Sequence, residues 1–130
     1  MDLLSLAKDI ATRVEAEASR IKVPVSVSVI DVHGNIVLMH RMNGALAFSM
    51  ELSERKAYTS ALVGIRTAEI LPLVQPGQPL FPLMSQPQYC AMGGGAPLTS
   101  ADQVVAGVGV SGGSVDQDVA ILEAALALRQ

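Results

Sequence analysis

The run Gln103–Val110, with the Ser-Gly-Gly-Ser that follows it, constrains this chain more than any other stretch. Val104, Ala106, Val108 and Val110 alternate with Val105, Gly107 and Gly109. Both faces are apolar or empty, the pattern of a central strand covered on both sides. Gly107 and Gly109 leave one face without side chains, so another backbone, a helix or a flat ligand can come close there. Ser111-Gly112-Gly113 turns the chain. Ser114 then caps a closing helix, with Gln117 completing a capping box and Asp116 and Asp118 placing negative charge in the first turn, where the helix dipole favours it.

The rest of the chain supplies layers around this strand. Leu3 to Ile21 reads as an amphipathic helix, with Leu3, Leu6, Ala7, Ile10, Ala11, Val14, Ala18 and Ile21 on one stripe. Pro24 ends it. Val23 to Ile30 is a strand, Asp31 to Asn35 a turn, and Ile36 to Met42 the returning strand of a hairpin. Strict alternation puts Ile36, Leu38, His40 and Met42 on one face, with His40 among large apolar neighbours. Ser49 is the expected N-cap of a helix to about Arg66, with Ala57, Ser60, Ala61 and Gly64 as a small-residue face. Thr67 to Val74 is a short helical piece broken at Pro72, and the proline-rich Gln75–Leu83 segment is a loop suited to a lid or a subunit-contact arm. Ser85 to Ala91 can hold a short strand, and Ala96-Pro97-Leu98 is extended after the break at Gly93-Gly94-Gly95.

Composition narrows what such a domain does. The 130 residues suit one domain, residues 1–130. With aromatics at 3% and no Trp, stacking on protein rings is not a main binding device. A net charge of -3 and a pI near 5.2 argue against nucleic-acid binding through a basic field. The one cysteine, Cys90, excludes an internal disulfide and fits a reducing, cytoplasmic location. The N-terminal residues do not read as a signal peptide, and no apolar run approaches the ~20 residues of a membrane-spanning helix. A mean hydropathy of +0.41 is high for a small monomer and points to apolar surface buried between copies.

Few residues carry chemistry. His40, and after it His33, offer a neutral imidazole for axial ligation of a haem iron. The competing reading is a half-buried His40 bonded to a neighbour and a solvated His33 in its turn, the commoner state of histidine. Their spacing matches no common zinc pattern. Gly93, Gly94 and Gly95 can present amides to a propionate or other anion, or can serve as a turn needing positive φ. Arg41, Arg55 and Lys56 are the best cations for an acidic ligand, against a reading as ordinary surface charge. Glu51 and Glu54 are possible metal ligands, though helical glutamates are usually solvated.

Val29 to Val37, Arg41-Met42-Asn43-Gly44-Ala45, Lys56-Ala57, Gly93-Gly94-Gly95-Ala96-Pro97-Leu98, and Gly107 to Gly113 followed by Gln117-Asp118 together resemble a known family over nearly the whole chain. It is the GlcG/HbpS-like haem-binding and haem-degrading family, which includes the C-terminal domain of PduO. Asn43 departs from it, since Asp is usual there. The resemblance implies an α+β, profilin-like fold: a five-stranded antiparallel sheet flanked by helices on both faces. It implies homo-oligomers, tetramers or octamers, with haem as the cofactor. It places relatives in propanediol, glycerol or glycolate utilisation. The function expected is an oligomeric binding protein for haem, another tetrapyrrole or a small acidic ligand. His40 would be the metal ligand, with His33 second, and Arg41 and the Gly93–Gly95 amides would meet propionates. Two other classes stay open: an enzyme that degrades haem or acts on a small organic acid at a subunit-interface pocket, and a non-catalytic structural partner of a larger complex.

Overall fold

In a computed structural model, described for residues 2–127, a four-stranded antiparallel sheet stands between helices. The last three residues of the expected closing helix lie outside the described residues. The elements are α1 (Leu3–Ile21), β1 (Ser26–Asp31), β2 (Ile36–Arg41), α2 (Phe48–Val63), α3 (Thr67–Ile70), β3 (Gly95–Ser100), β4 (Gln103–Ser111) and α4 (Val115–Ala127), with 3-10 turns at Leu71–Val74 and Phe81–Ser85. The strand order is β2-β1-β4-β3, so β4 is central, as its doubly apolar pattern requires.

The expected fifth strand is absent among the described residues. Ser85–Ala91 is the tail of the 3-10 turn followed by irregular chain. Pro87 removes a ladder donor there and fixes its own φ. The supported class is α+β, an antiparallel sheet with helices on both faces, and the strand count is four.

The two faces differ in kind. Val27 and Val29 of β1, Ala96 and Leu98 of β3, and Ala106, Val108 and Val110 of β4 pack against Ile10 and Val14 of α1 and Ile121 and Leu122 of α4 in one aliphatic core. Asp2 caps α1 by accepting from the Ser5 amide at 3.2 Å. Lys22, in the left-handed region at φ 60°, closes it ahead of Pro24. On the other face α2 lies with its backbone on the sheet. A methyl group placed on Gly107 would stand 2.2 Å from the Ala57 carbonyl oxygen, and one on Gly109 2.1 Å from that of Ser53. The close approach foreseen at these glycines is made by a helix.

The α2 interface is accordingly small and polar rather than greasy. The Ser26 and Ser49 hydroxyls meet at 2.7 Å, as do those of Ser28 and Ser53. Ser49 is therefore not the cap: α2 starts at Phe48 without a side-chain cap, and the Ser49 hydroxyl donates to the Leu46 carbonyl at 2.6 Å. Gly64, at φ 85°, ends the helix. The expected cap of α4 is present: the Ser114 amide donates to Gln117 Oε1 at 2.9 Å, and the Gln117 amide to Ser114 Oγ at 3.2 Å. No helix among the described residues is long and apolar enough to cross a membrane.

Candidate functional site

β2 is an edge strand, and this decides the setting of His40. The residue pairs with Val27 across the ladder, so its ring faces α1. The side chain is 49% exposed, and Nδ1 lies 3.0 Å from Oε2 of Glu15 on α1. Leu38 keeps the face expected for it, but at the sheet edge His40 is exposed and has an acidic partner. A register shift between Val29 and Ile30 puts Ile36 opposite Ile30, on the α2 side, so Ile36 no longer shares a face with His40. His40 is thus an exposed histidine with one polar neighbour, Glu15. Arg41, the next residue, is exposed at the end of the strand.

His33 is exposed in the β1–β2 turn, at the other end of β2 from His40. Asp31 organises the turn: its Oδ1 accepts from the amides of His33 and Asn35, each at 2.9 Å. Next to it a cleft of about 390 Å³ opens between that turn, α2 and the chain at Pro87 and Gln88. Gly34, Glu51, Glu54, Arg55 and Tyr58 line it. Arg55 is spent on Glu51 one turn back, and Tyr58 stacks at a tilt on Tyr89 with 5.6 Å between ring centres. No group of three or more His, Cys, Asp or Glu among the described residues is placed to hold a metal ion.

Gly93, Gly94 and Gly95 are buried at the start of β3. The Gly95 amide donates to Thr67 Oγ1 at 2.9 Å, and the Gly94 carbonyl accepts from the Val110 amide at 2.8 Å. Gly94 has a φ of 120°, and a methyl there would lie 2.7 Å from the Val110 carbonyl oxygen and 2.8 Å from Lys56 Nζ. Gly95 pairs with Gly109, and Arg41 lies in register with Ser26 and Ser111. The glycines and Arg41 thus share one end of the sheet but sit on opposite edges, three strand spacings or roughly 14 Å apart. Within one protomer they do not converge on one ligand group.

Lys56 is not a surface cation. It is fully buried, and its ammonium donates to the Val110 carbonyl at 2.9 Å and to Asp118 Oδ2 at 3.2 Å. Asp118 Oδ1 accepts from the Gly113 amide at 2.9 Å. Burial pushes the Asp118 carboxyl above the usual carboxylate range, outweighing the Lys56 charge and the Gly113 amide, which pull it down. Four of the sequence elements behind the family resemblance meet here: Lys56-Ala57, the glycine triplet, the last strand, and Gln117-Asp118. Above the pair a shallow cleft of about 190 Å³ is rimmed by the exposed side chains of Leu46, Phe48, Met92 and Val115.

Sequence reasoning missed two partnerships. Glu15 reaches His40 across 25 residues, and no local pattern marks it. The Lys56–Asp118 pair spans 62 residues. Its one local sign was a lysine set beside the small-residue face of α2.

Comparison with known proteins bears on what this arrangement does. A protein of Citrobacter freundii, described as an uncharacterized 15.0 kDa protein in the dhaT-dhaS intergenic region, is 44% identical over 95% of this chain and 88% of its own length. The corrinoid adenosyltransferase PduO of Salmonella typhimurium is 40% identical over 89% of this chain, which spans only 35% of that longer protein. The crystal structure of a PduOC–haem complex superposes with a TM-score of 0.89 at 37% identity, covering 92% of this chain and 88% of that one. The family model described as "Haem degrading protein HbpS-like" matches residues 3–127, and the chain belongs to that family.

Proposed function

We propose that this chain is an accessory protein that binds haem or a related tetrapyrrole, with His40 as axial ligand. The observation that carries the reading is the state of His40: half exposed on an edge strand, one ring nitrogen held by Glu15 and the other unclaimed among the described residues. Arg41, exposed at the same edge though its side chain leaves β2 by the opposite face, is the cation offered to a propionate. His33, exposed beside the 390 Å³ cleft, is the second candidate. Haem, when bound, supplies the iron chemistry; the chain's part is to hold the ring by an imidazole and a guanidinium. The apolar side chains left at the surface, Leu46 and Phe48 above all, suit assembly of copies into a tetramer or octamer. The names of the relatives, a dhaT-dhaS intergenic protein and PduO, suggest a place beside a diol or glycerol pathway, and the single Cys90 suits the cytoplasm.

Titration of the purified protein with haem tests this. A shifted Soret band is expected, lost in His40→Ala and kept in His33→Ala. An unshifted band, or one indifferent to both substitutions, overturns the ligand assignment. The family description favours one further reading, haem degradation. It predicts loss of haem absorbance with reductant and oxygen, beyond that of free haem.

A further inference from the structure

We propose that Glu15 is a positioning residue that selects the tautomer of His40 and so prepares Nε2 to bind iron, an inference that rests on the haem reading above. An ionised carboxylate can only accept hydrogen bonds. Glu15 Oε2 lies 3.0 Å from His40 Nδ1, so in the neutral ring the proton sits on Nδ1 and the lone pair on Nε2. That is the reverse of the form a free histidine side chain favours in water. Metal-bound histidines characteristically give their second ring N–H to such a carboxylate, which fixes the ring and raises its basicity as a ligand.

The backbone on both sides of the pair is anchored by buried neighbours. Glu15 follows Val14, which is fully buried in the core along with Ala11 and Ala18 of the same helix. His40 is held by its ladder pairing with Val27, also fully buried. The two partners come from different elements, α1 and β2, so their contact ties the edge strand to the helix layer. Among the described residues β2 has no strand on its outer side, and the His40 side chain is 49% exposed, which leaves the ring accessible to a ligand. A surface contact of this kind adds little to stability. Its consequence is for the ring, more than for the fold.

Two measurements test the assignment. The first needs no haem: nitrogen-15 long-range spectra of the ligand-free protein, at alkaline pH where imidazole is neutral, report which ring nitrogen carries the proton. The wild type is expected to show the Nδ1–H form, and Glu15→Ala a return to the Nε2–H form. The second uses haem. Glu15→Ala is expected to weaken haem binding by about 10–100-fold, and Glu15→Gln, which keeps a hydrogen-bond acceptor without the charge, to lose less affinity but raise the midpoint potential of the bound iron. If His40→Ala abolishes the Soret shift while both Glu15 variants leave tautomer, affinity and potential unchanged, the positioning role is overturned and the haem reading survives. If His40→Ala leaves the Soret shift intact, the haem assignment falls and the positioning role falls with it.

Discussion

Replacing Lys56 by Met tests the buried pair that joins α2, β4 and α4. The substitution shortens the side chain by one atom, keeps it unbranched and removes the charge. Asp118, 3% exposed, is left with the Gly113 amide and no counter-charge. At 3.2 Å and an effective dielectric constant near 20, the lost attraction is about 5 kcal/mol. Removal of one partner of a buried pair typically costs 3–5 kcal/mol. The expected loss at neutral pH is therefore about 3–5 kcal/mol, read as a lower urea midpoint at constant slope. The loss depends on pH in a definite direction. A carboxyl whose folded-state pKa lies above its unfolded value near 3.8 contributes stability at low pH and loses it as pH rises through the interval between the two values. Removing Lys56 stretches that interval upward. The deficit of Lys56→Met is therefore largest at neutral pH and shrinks as the pH falls toward 4. Lys56→Met with Asp118→Asn should cost less than the sum of the single changes, by ~1–3 kcal/mol. A deficit below about 1 kcal/mol at neutral pH, or one that grows on acidification, would refute the buried-pair account.

Gly109→Ala should destabilise by about 3 kcal/mol or more, because the added methyl meets the Ser53 carbonyl oxygen at 2.1 Å and a helix backbone cannot step aside; thermal denaturation measures it. Ser114→Ala removes the hydroxyl that accepts from the Gln117 amide, one of the two bonds of the α4 cap, and should cost ~1 kcal/mol in the same assay. Arg66→Ala breaks the pair with Glu123, whose side chains are 43% and 42% exposed, and should cost under about 1 kcal/mol, less still in high salt.

How much was legible follows from the distance over which each feature is encoded. α1, the hairpin, the central β4 and the capped α4 are written in local periodicity and caps, and they stand nearly where expected. The irregular chain in place of a fifth strand over Ser85–Ala91 was foreshadowed by Pro87, which cannot donate to a ladder. The face assignment of Ile36 failed because one irregular pairing step reverses the side on which a residue lies, and no local residue type announces that step. His40 was misplaced for a different reason: alternation gives the face of a strand but not whether the strand is central or at an edge. Lys56 looked like solvent-facing charge because its partner is supplied by another helix far along the chain.

The seating of α2 on bare glycine backbone has a consequence for how the molecule can respond to a ligand. Side chains between two layers act as bearings, since they can change rotamer and let one layer slide; here there are none at Gly107 and Gly109. The helix is bolted down, so the wall it gives to the cleft at Glu51, Glu54 and Tyr58 is fixed. Any adjustment to a guest has to come from the opposite wall, the chain at Pro87 and Gln88, whose neighbouring turns pack on the small cluster of Ile70, Val74 and Ala91 rather than on the main core.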